Sequence, residues 1–211
     1  MQFSSSDLVY IIPTIFISLT IHEFMHGMVA HWLGDTTAKD MGRLTLNPLK
    51  HIDIFTTILL PIVMVLLGFQ PILAAKPVPF NPNRVKWGEY GAALVGIAGP
   101  FTNLILAILG VIAGRIINPS SAVVINFLTI FIVINVAYFV FNMIPIPPLD
   151  GSRLLYAFAP EWLQEIMAQI ERLGFFVLLA ILVILLPVIG PLLSYLENHV
   201  LQLIAGNLFQ V

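Results

Sequence analysis

The sequence predicts an all-α integral membrane protein with about five transmembrane helices. Hydrophobic residues make up 59% of the 211-residue chain and charged residues only 9%, against about 25% charged in an ordinary soluble domain. Two long stretches, residues 122–149 and 173–196, contain no Asp, Glu, Lys or Arg. Because about 20 apolar residues cross a bilayer, we interpret these stretches as membrane spans and not as a cleaved secretory signal.

The first predicted span, residues 8–33, carries a cluster of ionisable side chains. His22 and His26 are four residues apart, so a helix presents both imidazoles on one face. That arrangement suits a tetrahedral zinc ion, and Glu23 suits a base that takes a proton from zinc-bound water. Charged residues inside a span cost about 2.5–3.5 kcal/mol each and are usually functional. The pattern therefore favours a zinc hydrolase over a buried polar cluster without a metal.

Composition restricts the ligands and the partners of such a site. The chain has no cysteine, which excludes disulfides and thiolate ligands, so zinc must be held by histidine and carboxylate. The formal net charge is -2 and no basic run is present, so we expect the lipid bilayer as the environment and no nucleic-acid partner.

Three segments between the first and the next long span predict features near the site. Residues 43–46 alternate apolar and polar side chains before Pro48 and predict a short strand. The apolar residues 54–69 are too few for a full crossing and predict a re-entrant or tilted helix. Three prolines within residues 77–82 exclude a helix and predict a second extended segment.

The remaining apolar stretches predict further helices. The span over residues 91–114 contains Asn103, whose amide serves either a helix-to-helix hydrogen bond or the catalytic site. Prolines at the end of the span over residues 122–149 bring Asp150 to the membrane boundary. An amphipathic segment over residues 152–172 precedes the last span, and we expect a short interfacial helix after residue 196.

The positions of the basic residues predict the orientation. Eight of the nine Lys and Arg residues lie in the polar segments 35–53, 76–86 and 153–172. By the positive-inside rule these segments face the cytoplasm, and the N-terminus of this multi-pass cell-membrane protein faces out. The assignment requires that residues 54–69 do not cross the membrane. It places Asp150 on the same side as the two histidines and at a similar depth.

Three ordered motifs resemble the site-2 protease family of intramembrane zinc metalloproteases. They are His22-Glu23-x-x-His26, Gly99-Pro100-x-x-Asn103, and Asn-x-x-Pro-x-Pro-Pro-Leu-Asp-Gly from Asn142 to Gly151. The segments at residues 42–48 and 75–79 are similar to a minimal branch of the family, and the chain has no room for PDZ or CBS domains. The resemblance covers about residues 15–155. Ile54 and Phe55 depart from it, since relatives often have Pro and Gly there.

The resemblance implies roles for individual residues. It makes His22, His26 and Asp150 the ligands of one zinc ion per chain and leaves a fourth position for water. It makes Glu23 the base and implies that Asn142 binds the substrate or the oxyanion, with Asn103 a weaker candidate for the same role. His51 is the alternative third ligand, since its loop could fold back over the metal.

The resulting hypothesis is a single membrane-embedded metalloprotease domain over residues 1–211. Its catalytic core covers about residues 8–155, and C-terminal helices cover residues 156–211. We expect an endopeptidase that cleaves in or near transmembrane segments of membrane-protein substrates in regulated intramembrane proteolysis. The extended segments either offer a strand edge to the substrate or shield the site from lipid.

Two other functions compete with the protease. A metal or ion transporter would also use buried His, Asp and Asn residues. It would not need the non-ligand carboxylate of Glu23, and the sequence has no internal repeat of the kind that many transporters show. An inactive scaffold is disfavoured because the proposed ligands and the base are all present.

Overall fold

The structure, a computed structural model, describes residues 4–52, 76–173 and 175–206. The predicted re-entrant helix at residues 54–69 lies outside the described residues. The described residues form seven α-helices: α1 (Leu8–Trp32), α2 (Thr37–Asp40), α3 (Glu89–Ile117), α4 (Ala122–Asn142), α5 (Gly151–Phe158), α6 (Glu161–Arg172) and α7 (Phe175–Ala205). Short 3-10 turns cover Ser5–Asp7, Pro48–Lys50 and Pro82–Arg84.

Helices α1, α3 and α4 are long and apolar enough to cross a membrane. This confirms the predicted all-α membrane protein. Helix α3 is the central one, since 56% of its most apolar stretch is buried, compared with 28% for α1 and for α4. It packs against α1, α4 and α5. The segments that carry the candidate ligands therefore meet on α3.

Helix α1 buries its polar face and exposes its apolar one. Thr14, Ser18, His22 and His26 recur at four-residue intervals, and all four are buried. The large apolar side chains that are exposed on the same helix are Leu8, Val9, Ile12, Phe16, Ile17 and Trp32. Lipid is as apolar as these side chains, so the polar face is the one that needs partners inside the protein.

The predicted strand at residues 43–46 is wrong. The N–H of Thr45 donates to the carbonyl of Arg43 at 3.0 Å, so the backbone turns locally and no strand forms there. The second segment, residues 76–81, is not helical, as predicted. The Arg43 side chain joins the two segments by donating from Nη2 to the carbonyl of Lys76 at 2.7 Å.

The short separate helix predicted after residue 196 is also wrong. Helix α7 continues to Ala205 without a break, although it contains Pro187 and Pro191. Its last turns pack on a core of α3 and α4 side chains formed by Ala107, Val111, Ile132, Val136 and Val140. Arg115 donates to the carbonyl of Ala205 at 3.3 Å. Apolar contacts therefore hold the tail against α3 and α4 as part of one long helix.

Asp35 ties the end of α1 to the segment 76–81. Its Oδ1 accepts hydrogen bonds from the N–H of Thr37 at 3.0 Å and from the Thr37 hydroxyl at 2.6 Å. Its Oδ2 accepts from the N–H of Asn81 at 2.6 Å. Burial opposes ionisation, but the bonds from Thr37 and Asn81, with Arg84 nearby, outweigh it and lower the pKa of Asp35.

We predict that Asp35→Asn lowers the melting temperature of the protein in detergent by several degrees. An amide offers one acceptor atom in place of two, and an unsatisfied buried N–H costs about 1–3 kcal/mol. A depressed pKa in the folded state contributes stability above the unfolded pKa of about 3.9 and loses it as the pH falls. The difference from wild type should therefore shrink between pH 6 and pH 3.

The matched control is Asp40→Asn, since Asp40 is exposed and accepts one hydrogen bond, from the Thr36 hydroxyl at 2.7 Å. Its melting temperature should stay within about one degree of wild type, because exposed polar substitutions usually change stability by less than about 0.5 kcal/mol. An Asp35→Asn effect that is the same at every pH would contradict the ionised role of Asp35.

Candidate active site

Three side-chain atoms from α1 and from the turn before α5 form a compact triangle. His22 Nε2 lies 3.0 Å from His26 Nε2 and 3.1 Å from Asp150 Oδ2. His26 Nε2 lies 3.3 Å from the same Asp150 oxygen. Both histidines are buried and Asp150 is half-buried. The structure thus brings together residues that are more than 120 positions apart in the chain.

The other ring nitrogen of each histidine is held by helix α3. His22 Nδ1 lies 2.6 Å from Asn103 Oδ1, and His26 Nδ1 lies 2.6 Å from the carbonyl of Val95. Both partners are carbonyl oxygens, which only accept, so each Nδ1 carries the proton and donates. In the neutral ring each Nε2 then presents a lone pair to the centre of the triangle, as a metal ligand must.

The approach of Asp150 is fixed by a turn that cannot be helical. Prolines at 145, 147 and 148 follow the end of α4 and remove backbone donors. Gly151 begins α5 where a β-carbon would collide with the carbonyls of Met143 and Ile144. Gly96 allows close approach from the other side, since a β-carbon there would lie 3.0 Å from the Asp150 carbonyl. The carboxylate is thereby delivered to the two histidines.

The triangle has the dimensions of three ligands of a tetrahedral zinc ion. Zinc bonds of about 2.0–2.1 Å to nitrogen and oxygen place tetrahedral ligand atoms about 3.3 Å apart, close to the 3.0–3.3 Å edges seen here. Within the described residues, His22, His26 and Asp150 form the group of three that could hold a metal. His51 is buried elsewhere, and its Nε2 donates to the carbonyl of Thr45 at 2.8 Å.

Glu23 faces the same space as the triangle. It is 8% exposed, and its Oε2 accepts a hydrogen bond from the N–H of Val78 at 2.8 Å. Glu23, His26 and Asp150 line one cavity of about 350 Å³, which Val78 and Arg153 also line. A carboxylate that can move a proton therefore lies beside the candidate ligands.

The two predicted asparagines occupy different positions. Asn103 is fully buried and both of its amide atoms are bonded, Oδ1 to His22 and Nδ2 to Asn135 Oδ1 at 2.9 Å. Asn142 donates from Nδ2 to the carbonyl of Tyr138 in its own helix at 3.0 Å. Among the described residues, the lining of the cavity does not include Asn142. The structure thus places Asn103, and not Asn142, against a candidate ligand.

Sequence reasoning missed three groups at the site. The N–H of Val78 and the carbonyl of Val95 are backbone groups, for which the sequence carries no signal. Asn135 is fully buried and donates from Nδ2 to the carbonyl of Phe131 at 2.8 Å. A polar amide inside the apolar stretch of α4 was a signal that could have found it.

Comparisons with known proteins point to one family. Residues 110–185 match the model of Peptidase family M50. A Bacillus subtilis protein named "Putative zinc metalloprotease YwhC" is 37% identical over 207 residues, which is 93% of this chain and 91% of that protein. A Mycolicibacterium smegmatis protein named "Putative zinc metalloprotease Rip2" is 31% identical over 170 residues, or 79% of this chain and 63% of that protein.

No solved structure matches the chain. The likeness to the Bacillus protein extends over nearly the full length of both chains, and the motifs that resemble site-2 proteases lie within that length. The resemblance found in the sequence is therefore confirmed. The chain belongs to Peptidase family M50, the site-2 protease family, and is a membrane-embedded zinc metalloprotease.

Proposed function

We propose that the chain is an intramembrane endopeptidase that hydrolyses peptide bonds in or near transmembrane segments of membrane-protein substrates, in regulated intramembrane proteolysis. One observation carries the proposal: two residues of the proposed ligand triangle, His26 and Asp150, line one cavity together with the separate carboxylate of Glu23, beside membrane-length helices. A protease needs both a metal and a proton carrier at the reacting bond.

His22, His26 and Asp150 are the proposed ligands of one zinc ion per chain. Their triangle fits a tetrahedral ion with one position left for water. When bound, zinc acts as a Lewis acid and lowers the pKa of a coordinated water to about 7. Val95 and Asn103 hold the histidine rings in place, which leaves both Nε2 atoms aimed inward.

Glu23 is the proposed general base. Its Oε2 is occupied by the N–H of Val78, and in the described part of the chain no hydrogen bond reaches Oε1. The free oxygen can take a proton from water in the cavity and pass it to the nitrogen of the leaving amine. Such a proton transfer contributes typically about 10²–10⁴-fold to the rate.

The hydrogen bonds of segment 76–81 favour a role in shielding the site from lipid over a role in pairing with a substrate strand. The N–H groups of Lys76, Val78 and Asn81 are already bonded to His51, Glu23 and Asp35. The prolines at 77 and 79 have no N–H to offer. The segment is therefore poor in donors for an added strand, and we propose that it covers Glu23 against lipid. We keep Asn142 as a proposed substrate contact on the resemblance alone.

Exposed aromatic residues lie in the same segments as the basic residues that predict the orientation. They lie at the end of α1, the start of α3, and in α5 and α6: Trp32, Trp87, Tyr90, Phe158 and Trp162. Aromatic side chains of this kind mark a membrane interface, and the basic residues of the chain cluster in the same segments. We propose that this side is cytoplasmic, that the site opens toward it, and that the N-terminus lies outside.

Since α7 packs on α3 and α4, we also propose a single domain.

We predict that Gly99→Ala weakens zinc binding by at least about tenfold, comparable with the loss of a group that supports a ligand. A β-carbon at this position would lie 2.6 Å from His22 Nε2 and would also collide with His26 Nε2. Neither ring can move away without breaking its Nδ1 hydrogen bond. Competition with a chromophoric chelator in detergent measures the affinity.

Gly114→Ala is the control for this change, because a β-carbon there meets its nearest neighbour, Leu128, at 3.8 Å. Its zinc affinity should equal that of wild type. Wild-type affinity in Gly99→Ala would argue against the two histidines as a ligand pair.

We predict that Glu23→Gln loses cleavage by about 10²–10⁴-fold while zinc stays bound, since the change removes the base and no ligand. Cleavage of a transmembrane peptide and zinc content should be measured on the same preparation. Appreciable turnover by this variant would contradict the proposed mechanism. Loss of zinc from the variant would indicate that Glu23 is a metal ligand and not the base.

We predict that Asp150→Ala loses zinc and activity together, whereas His51→Ala keeps the metal and at most slows turnover. Asp150 lies within 3.3 Å of both histidine Nε2 atoms, while His51 is bonded to Thr45. Loss of a ligand should weaken binding by more than the 10–100-fold typical of supporting groups. The opposite pattern of zinc retention would reverse the assignment of the third ligand.

Topology is tested by cysteine labelling, because the chain has no cysteine of its own. Single cysteines in place of Lys50 and Arg84 should both react with an impermeant reagent from the cytoplasmic face only. Labelling of the two positions from opposite faces would show that residues 54–69 cross the membrane, and the proposed orientation would fail.

A further inference from the structure

A chain of buried amides leads from α4 to His22. Asn135 is fully buried in α4, and only the Asn103 side chain lies between it and His22 in this series of hydrogen bonds. It bonds to Asn103 of α3, which bonds to His22 of α1. We propose that Asn135 is a positioning residue that, through Asn103, determines which ring nitrogen of His22 is offered to the metal. The inference rests on the proposed ligand role of His22.

The donor and acceptor capacities of the groups determine the direction of each hydrogen bond from Phe131 to His22. The carbonyl of Phe131 only accepts, so the Asn135 atom that faces it at 2.8 Å is the amide nitrogen. The Asn135 oxygen then faces Asn103 and accepts from its amide nitrogen at 2.9 Å. This leaves the Asn103 oxygen for His22 Nδ1, 2.6 Å away. His22 must therefore carry its proton on Nδ1 and present the Nε2 lone pair.

Without Asn135, nothing among these groups distinguishes the two orientations of the Asn103 amide. A flipped amide would turn its NH₂ group toward His22 Nδ1, and the ring would then carry its proton on Nε2. That proton would point at Asp150 and block coordination. Water could not easily substitute for the lost partner, because the site lies among membrane-length helices and Asn103 is fully buried.

The two histidines differ in the kind of acceptor that their Nδ1 atoms face. His26 Nδ1 donates to the backbone carbonyl of Val95, whose direction is fixed by helix α3. His22 relies on a side-chain amide whose oxygen and nitrogen are nearly equal in size. His22 is thus the ligand whose orientation needs a second residue to define it, and Asn135 supplies that definition from another helix.

The test measures zinc affinity by chelator competition in detergent, together with the melting temperature of each metal-free variant. Asn135→Leu keeps a similar size and removes both hydrogen bonds, and we expect about 10–100-fold weaker zinc binding. Asn135→Asp should restore affinity to within a few-fold of wild type. A buried carboxyl stays protonated, so its hydroxyl can donate to Phe131 and its carbonyl can accept from Asn103.

Thr102→Val is the matched control, since Thr102 lies beside Asn103 and donates only to the carbonyl of Ala98 in its own helix, at 2.7 Å. Its zinc affinity should not change. If Asn135→Leu does not fold, the smaller Asn135→Ala variant should give the same loss of affinity.

A double-mutant cycle asks whether Asn135 acts through Asn103. Adding Asn135→Leu to Asn103→Leu should cause no further loss of zinc affinity, because the pathway is already broken. A further loss in the double variant would overturn the proposal. Wild-type zinc affinity in Asn135→Leu, with or without a lower melting temperature, would also overturn it and leave Asn135 a packing role.

The ligand assignment is tested separately. If zinc binds to His22→Ala as tightly as to wild type, the proposed ligand role of His22 fails and the inference fails with it. If His22→Ala loses zinc while Asn135→Leu binds it as tightly as wild type, only the positioning role of Asn135 fails.

Discussion

Burial of two histidines inside an apolar helix bundle is the constraint on which the rest of the structure depends. A buried polar group without a partner costs several kcal/mol, and no water in the bilayer core can relieve it. The structure answers with a hydrogen-bond acceptor for the Nδ1 of each histidine, supplied by α3, and leaves both Nε2 atoms beside Asp150 for a metal. Gly99 leaves room for the two rings. The packing of α1 on α3 thus combines hydrogen bonds to the two histidines with an apolar cluster that includes Ala30 and Val95.

A second set of hydrogen bonds connects the surface to the site. Asp35 holds Asn81 at one end of the segment 76–81, and Glu23 holds Val78 near its middle. The position of the proposed base therefore depends on a loop that is fastened to the end of α1. This explains why a short polar stretch between two spans carries so many engaged backbone groups.

Local patterns predicted what depends on local chemistry. The four-residue spacing of His22 and His26, three of the apolar spans and the proline turn before Asp150 all follow from neighbouring residues, and the structure agrees with each. The strand at residues 43–46 failed because a strand needs a partner, and the chain turns there instead. The sequence did not predict the contact between Asn135 and Asn103, because this contact depends on the register of α3 against α4. That register is a property of the packed helices, and a single sequence does not display it.

The central claim is that two imidazoles and one carboxylate hold the zinc ion. X-ray absorption at the zinc edge of the purified wild-type protein measures this directly, because the number of imidazole ligands and the bond lengths can both be read from the spectrum. We predict a four-coordinate ion with two imidazole nitrogens and oxygen ligands at about 2.0–2.2 Å. A spectrum that requires three imidazoles, or six oxygen ligands, would contradict it.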